Sequence, residues 1–303
     1  MTRKIITTSV IMGAMFTLIG CGGGSSDTMD SVGTNPASVA TTGTGYYIDS
    51  AVSGVNYTCG SQEGITGADG SFTFEVGSSC TFYLGDMELR GVDTGLLVDG
   101  ENVYETDVGI ARILQSLDSD GNPDNGITIE AATVQALAGE GITSLPTSEA
   151  DMDEMLAVIA ANGGTEVSEE DAAGHMYTTL LGGKTFYVVG QELSDATDIW
   201  VGKATFNTDL TELTYIEAYG LDAGEIEIAA ISIDGNRLVF GSDTDGPYTV
   251  VGENKGDYIE VTDYYIDGRV ESHTRLYFDK TKADAYFETL GGGSSAEQPF
   301  SFT

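Results

Sequence analysis

The stretch Leu180-Leu-Gly-Gly-Lys-Thr-Phe-Tyr-Val-Val189, LLGGKTFYVV, divides the chain into two parts with different sequence patterns. Immediately before Gly182-Gly183, apolar residues recur at helical spacing. After it, short runs rich in β-branched and aromatic residues alternate with polar ones. Two adjacent glycines are typical of a break between elements. We therefore expect an α+β chain with two globular regions, residues 45–182 and residues 183–290.

The second region, residues 183–290, predicts an antiparallel β domain. Asp234-Gly235-Asn236 and Asp267-Gly268 are typical hairpin turns. Short strands with tight turns and no helix between them indicate a meander, closed or nearly closed into a barrel. A terminal helix over Lys280–Leu290 follows, and residues 291–303 are expected to be a flexible tail. The candidate strands are Thr185–Val189, Trp200–Phe206, Glu212–Tyr219, Glu225–Ile233, Arg237–Phe240, Tyr248–Val251, Tyr258–Ile266 and Glu271–Phe278.

This order of elements resembles a lipocalin-type barrel. The resemblance rests on LLGGKTFYVV as the first strand, the meander after it and the C-terminal helix. It implies a barrel that carries a small apolar ligand in its interior. The alternative is a barrel filled by its own side chains, as small barrels often are.

The first region begins with strands. Gly45–Val55 (GYYIDSAVSGV) alternates, and an Asp69-Gly70 turn precedes a strand with Phe72 and Phe74 on one face. These residues resemble the carboxypeptidase regulatory-like, or prealbumin-like, β-sandwich module of secreted and surface-anchored bacterial proteins. The resemblance covers roughly residues 45–130 and implies a module without catalytic activity.

Four helices are expected to follow these strands. In TDVGIARILQSLD, a face formed by Ile110, Ile113, Leu114 and Leu117 has the spacing i, i+3, i+4, i+7. The other three helices are predicted in TIEAATVQALAGEG, SEADMDEMLAVIAANGG and SEEDAAGHMYTTLLGG, the last two with serine caps. The fold class is therefore a β-sandwich module, a small helical segment, and an antiparallel barrel or meander with a terminal helix.

The N-terminus resembles a bacterial lipoprotein signal. Arg3 and Lys4 precede a short apolar segment that ends in Leu18-Ile-Gly-Cys21. The resemblance implies a signal peptide over residues 1–20, cleavage before Cys21 and lipid attachment to its sulfur. The alternative is an ordinary secretory signal. Residues 21–44 are rich in Gly, Ser and Thr, which predicts a flexible tether. Gly22 after the cysteine suggests an outer-membrane or cell-surface location.

The two remaining cysteines, Cys59 and Cys80, are an even pair in an exported protein. Such pairs form disulfides in oxidising compartments. A zinc site is not favoured, because His175 and His273 are the only histidines and lie far away in sequence.

The chain is strongly acidic, with 48 Asp and Glu against 12 Lys and Arg and a net charge of −36. This charge argues against nucleic acid and anionic lipid surfaces as partners. Solubility alone explains it, and collection of divalent cations is the alternative.

The stretch Asp118–Gly126, DSDGNPDNG, predicts either a calcium loop or a polar turn. The oxygen-bearing side chains of Asp118, Asp120, Asn122 and Asp124 recur at every second position, as at the start of an EF-hand loop. Pro123 occupies the sixth position, where that loop needs glycine, and Ile129 occupies the twelfth, where it needs glutamate. The same residues favour a turn without metal.

No catalytic motif is present in the sequence, and the acidic residues are too numerous for any pair to indicate a glycosidase. We therefore expect a lipid-anchored protein that is not an enzyme. Its expected role is binding or structural, such as adhesion to a surface protein or polysaccharide. The alternative is a lipocalin-like carrier of a small apolar ligand, and a hydrolase is the least favoured class.

Overall fold

A computed structural model describes residues 41–93, 97–220, 223–241, 250–254, 258–264 and 269–291. The predicted signal peptide, Cys21, nearly all of the predicted tether and the tail beyond Gly291 lie outside these residues. The first strand begins at Thr42, so residues 42–44 belong to a sheet, although their composition resembles the tether. The described residues form one compact unit.

The strands before the helices form two main sheets. One has the order β5-β1-β8, with β1 antiparallel to β5 and parallel to β8, and the other has the antiparallel order β4-β3-β6-β7. A short parallel pair joins β2 and β9. The strands are β1 (Thr42–Ile48), β2 (Val52–Ser53), β3 (Asn56–Cys59), β4 (Gln62–Ile65), β5 (Ser71–Glu75), β6 (Ser79–Leu84), β7 (Met87–Asp93), β8 (Glu101–Tyr104) and β9 (Ile127–Thr128).

Aromatic side chains join the two sheets. Tyr47 of β1 stacks on Phe82 of β6 with 4.7 Å between ring centroids, and Phe72 of β5 meets the same ring edge-on at 5.0 Å. All three are fully or almost fully buried. Gly45 lies under the Phe72 ring, where an added Cβ would come within 2.5 Å of its Cζ. The period-2 alternation of these strands therefore places one apolar face of each sheet in a shared core.

A disulfide joins Cys59 and Cys80, as the sequence predicts. The register of β3 against β6 places the two residues directly opposite each other, and both are completely buried. The enclosed segment carries β5, a strand of the other sheet, so the bond restricts strands of both sheets.

Four helices follow, and their boundaries agree with the capping residues. Helix α1 begins after Asp107, whose side chain accepts from Ile110 N, while Ser148 and Ser168 cap α3 and α4 in the same way. The predicted apolar face of α1 is buried. The helices are α1 (Val108–Ser116), α2 (Ala131–Gly139), α3 (Glu149–Ala161) and α4 (Glu169–Leu181).

Eight strands then form a closed antiparallel barrel in which each strand pairs with its neighbours in sequence, and the first pairs with the last. The predicted mixed α+β class and the antiparallel β domain with its terminal helix are confirmed. Within the described residues, strand ends shift by at most three residues from those predicted, and Tyr248, Ile266 and the Asp267-Gly268 turn lie outside the described residues. The strands are β10 (Thr185–Glu192), β11 (Ile199–Phe206), β12 (Glu212–Tyr219), β13 (Ile226–Asp234), β14 (Arg237–Gly241), β15 (Val250–Asn254), β16 (Tyr258–Tyr264) and β17 (Val270–Tyr277).

Two helices pack against the barrel. The terminal helix α5 (Lys280–Thr289) lies on its outer surface, where Ala283 and Phe287 contact Val189 and Val201. Helix α4 covers the end of the barrel where β10 begins, and its Tyr177 hydroxyl donates to the carbonyl of Asn236 at 3.1 Å. Among the described residues, no helix is long and apolar enough to span a membrane.

The end of the barrel that α4 covers is filled. Met176 and Leu180 of α4 belong to the same apolar cluster as Phe186, Phe206 and Leu238 of the barrel. The Phe186 and Phe206 rings meet edge-to-face at 5.4 Å. Any space inside the barrel must therefore open at the opposite end, where β10 ends and β11 begins.

Candidate functional site

The barrel encloses a cavity of about 390 Å³. Its volume falls in the range of small-molecule sites, near the lower end. The cavity is lined by Val188, Glu192, Asp198, Trp200, Ala204, Leu213, Tyr215, Glu217, Glu227, Ala229, Phe240, Gly241, Val261, Glu271, Ser272, Thr274 and Leu276.

The deep part of the cavity is apolar because strand alternation turns every second side chain inward. On β10, Phe186 fills the closed end, Val188 lines the cavity and Gly190 lies nearer the opening. The apolar lining residues of the other strands are Ala204, Leu213, Ala229, Phe240, Val261 and Leu276. Such walls suit the apolar body of a ligand.

Two aromatic rings lie across strand glycines inside the barrel. Trp200 pairs with Gly190 across β10 and β11, and a Cβ added to Gly190 would come within 2.1 Å of Trp200 Cε2. Tyr215 lies similarly over Gly202, with its Cε2 within 2.5 Å of an added Cβ. Only glycine leaves room for rings in these positions. The backbone thus fixes two flat aromatic surfaces in the cavity wall.

The mouth of the cavity is acidic. Its carboxylates lie where β10 and β12 end and where β11, β13 and β17 begin. Glu192 is the last residue of β10, and it accepts at 2.8 Å from Oγ of Ser194 in the β10–β11 turn. Among the residues the structure describes, no Lys, Arg or His lines the cavity. The acidic lining residues are Glu192, Asp198, Glu217, Glu227 and Glu271.

We did not predict the acidic mouth, although the sequence contains a pattern that indicates it. Glu192 lies four residues after Val188, and Glu217 lies four residues after Leu213, so each has the same parity as an inward apolar residue of its strand. A carboxylate on the apolar face of a predicted barrel strand is unusual. The total of 48 acidic residues hides this pattern when carboxylates are considered without their strand positions.

The predicted calcium loop, Asp118–Gly126, lies outside the barrel and is closed by its own hydrogen bonds. Asp118 Oδ1 accepts from Thr128 N at 2.9 Å, and its Oδ2 accepts from Asn122 N at 2.8 Å. Asp120 accepts from Asn122 N and from Asn125 Nδ2, both at 3.0 Å. Burial raises the pKa of Asp118, whereas the hydrogen bond from Asn125 lowers that of Asp120.

The last carboxylate of the loop has a different contact. Asp124 Oδ1 lies 3.2 Å from His175 Nδ1, and His175 Nε2 lies 3.2 Å from Ser50 Oγ. Over the described ranges, no group of three or more His, Cys, Asp or Glu side chains could hold a metal ion. The hydrogen bonds within Asp118–Gly126 are those that a polar turn forms.

Asp118→Ala should therefore destabilise the protein by about 1–3 kcal/mol without any involvement of calcium, because two backbone N–H groups lose their acceptor. Asp118→Asn keeps one acceptor oxygen and should cost less. Thermal melts in millimolar calcium and in chelator measure both effects. A melting temperature that rises with calcium in the natural protein but not in Asp118→Ala would instead identify a calcium site.

A buried polar cluster lies in the first region, away from the cavity. The Tyr47 hydroxyl donates to Glu105 Oε2, and Arg90 Nη1 contacts Glu105 Oε1 at 3.3 Å. Asp49 Oδ2 accepts from Gln115 Nε2 at 3.0 Å, while its Oδ1 has no hydrogen-bond partner among the described residues. Burial raises the pKa of Asp49 to about 7, against the effect of the Gln115 bond, with a further contribution from Glu105.

Comparisons of this chain with protein-family models, with curated proteins and with solved structures find no match.

Proposed function

We propose that the protein is a lipid-anchored, non-catalytic carrier of the outer membrane or cell surface that binds a small ligand inside its barrel. The observation that carries this proposal is the cavity of about 390 Å³, closed at one end by α4 and walled by apolar side chains. A barrel filled by its own side chains would have favoured adhesion instead. Ligand sites in proteins are mostly apolar concavities with a few polar groups, which is the arrangement found here.

Two features support a role without catalysis. The carboxyl group whose pKa is raised to about 7, Asp49, does not line the cavity. The rings of Tyr47, Phe72 and Phe82 join two sheets, which supports the resemblance to a prealbumin-like β-sandwich, and that resemblance implies a module without catalytic activity. In this proposal the first region holds the barrel away from the membrane.

The anchor follows from Leu18–Cys21, and it places the barrel near a membrane surface. Labelled palmitate should enter the natural protein and not Cys21→Ser. An unlabelled natural protein would contradict the anchor while leaving the cavity proposal untouched.

The cavity proposal predicts that Ala229→Phe abolishes binding of a neutral apolar dye such as N-phenyl-1-naphthylamine. Ala229 lines the cavity, and a phenyl ring there occupies space that the dye needs. Ile228, its neighbour on β13, is 54% exposed on the outer face, so Ile228→Phe is a matched control that should bind normally. Dye fluorescence measures the affinity, and we expect a loss of at least about tenfold, equivalent to 1.4 kcal/mol.

A second observable comes from Trp200, the only tryptophan in the chain. Because its ring lines the cavity, a bound dye should quench its emission in the natural protein and in Ile228→Phe. Equal dye affinity in Ala229→Phe and the natural protein would contradict a ligand site in the barrel.

Contact with a surface protein or polysaccharide is the second candidate function. It rests on the outer face of β12 and β13, where Ile216 lies opposite Ile226, and Ile226 and Ile228 are 65% and 54% exposed. Exposed apolar patches of this kind mark contact surfaces. A pull-down of residues 22–303 against native surface polymers and proteins tests it. Specific capture that Ile228→Lys abolishes, together with no dye binding in the barrel, would favour this function over the carrier.

A further inference from the structure

We propose that the ligand of the barrel is an organic cation, with an apolar body in the cavity and an ammonium-type group at its mouth. This inference rests on the proposed carrier function and specifies the chemistry of its ligand. The cavity is the site, and the order of side chains from its closed end to its mouth determines what fits it.

The side chains along the strands form layers. On β12, Leu213 lies deepest, Tyr215 follows and Glu217 lies nearest the mouth, at successive inward positions. Across β10 and β11, Trp200 is level with Gly190, one inward position below Glu192. Inward positions on a strand are about 6.8 Å apart. A cationic group between the two layers would therefore lie within reach of both carboxylates and aromatic rings.

The aromatic layer is suited to a cation. Ring atoms of Trp200 and Tyr215 lie close over strand glycines, which fixes their rings in the wall before any ligand binds. The face of an aromatic ring attracts a positive charge, most strongly for Trp, and quaternary ammonium groups are recognised in this way. A neutral apolar ligand would gain nothing from the acidic layer above these rings.

The charge of the mouth excludes the opposite type of ligand. Five carboxylates line the cavity, and none of its described lining residues is basic. A fatty acid or another anionic amphiphile would have to place its charge against this rim in a chain of net charge −36. Electrostatic focusing by a rim of one sign instead raises the local concentration of cations.

The cation is organic rather than a metal ion. The described part of the chain holds no group of three or more metal-binding side chains that could serve as ligands. Apolar walls such as Val188, Val261 and Leu276 contribute nothing to metal binding, whereas they can bury alkyl or aryl groups. The volume of about 390 Å³ fits a small molecule and not a complete membrane lipid.

Three probes that share one alkyl chain test the inference: octyltrimethylammonium and octanoate, each below its micelle-forming concentration, and octanol below its solubility limit. Quenching of Trp200 emission and calorimetry measure binding to residues 22–303. We expect the cation to bind at least about tenfold more tightly than octanol, and octanoate to bind most weakly. The preference for the cation should fall as salt is added, because the rim is partly screened.

The double variant Glu217→Gln/Glu227→Gln should lose the preference for the cation and keep its affinity for octanol. Its matched control is Glu212→Gln/Glu169→Gln, which makes the same change in net charge at exposed positions outside the cavity lining. If the control loses the preference for the cation equally, the preference depends on the total charge of the protein. If the Glu217→Gln/Glu227→Gln variant keeps the preference, the carboxylates at the mouth do not cause it. Either result overturns the inference.

The results also separate this inference from the carrier function. Octanol or octanoate binding as tightly as the cation overturns the cationic ligand and leaves the carrier function intact. Failure of all three probes and of the neutral dye overturns both.

Discussion

Asp49→Asn should stabilise the protein at pH 8 by as much as about 4 kcal/mol, while at pH 4 the variant and the natural protein should have nearly equal stability. Asp49 is almost completely buried, and burial is the main reason that its pKa rises from 3.8 to about 7. The neutral form is therefore the one that the folded protein favours. The interval between these two values sets the upper limit of about 4 kcal/mol, at 1.4 kcal/mol for each factor of ten.

The direction of the stability change in Asp49→Asn follows from proton binding by the folded and unfolded states. Between pH 3.8 and about 7 the folded state holds the Asp49 proton more tightly than the unfolded state does. The contribution of Asp49 to the free energy of unfolding is therefore greatest below this pH window and falls as pH rises through it. Asparagine does not titrate, and its amide oxygen can still accept the bond from Gln115 Nε2. The variant therefore lacks this decline, and its advantage should be complete above pH 7.

Urea unfolding of both proteins at several pH values between 4 and 8 measures the effect. Asp69→Asn is the control, since Asp69 is exposed and its hydrogen bonds with Ser71 lower its pKa, so no gain at high pH is expected from its removal. A difference between Asp49→Asn and the natural protein that stays constant from pH 4 to 8 would show that folding does not raise the pKa of Asp49.

Elements with local signals could be predicted from the sequence, whereas contacts between distant residues, apart from the Cys59–Cys80 bond, could not. The barrel strands follow from alternation and hairpin turns such as Asp234–Arg237, and the helices follow from caps such as Ser148 and Ser168. Nothing in the stretch Tyr46–Ser50 indicates that Asp49 is buried, because its partner Gln115 lies 66 residues away.

The cavity could not be predicted from the sequence either, because it depends on contacts between distant residues. Alternation predicts which side chains point inward, but whether they fill the barrel depends on its closed geometry and on how rings such as Trp200 lie over Gly190. Helix α4 closes one end through contacts such as that of Tyr177 with Asn236. The two residues belong to different predicted regions, and the sequence pattern of neither region indicates the contact. Residues such as Glu217 and Glu227 form an acidic mouth because the closed barrel brings them to the same end.

Loss of the disulfide should destabilise the protein by about 3 kcal/mol. Cys59 and Cys80 are separated by 21 positions, and loop-closure entropy for a segment of that length gives about this value. The enclosed segment carries β5, which pairs with β1 in the other sheet, so the unfolded chain without the bond gains freedom in strands of both sheets. Cys59→Ala/Cys80→Ala is the suitable variant, because serine would leave buried hydroxyl groups.

The experiment uses residues 22–303, in which Cys59 and Cys80 are the only cysteines. Urea unfolding should show a lower midpoint for the double variant than for the oxidised natural chain. The natural chain refolded in reductant should approach the variant, and reductant should not affect the variant itself. Identical midpoints for the oxidised and reduced natural chain would contradict a contribution from the bond. Because both sulfurs are completely buried, an intermediate midpoint for the reduced chain would measure what the packed thiols contribute to the core beyond alanine.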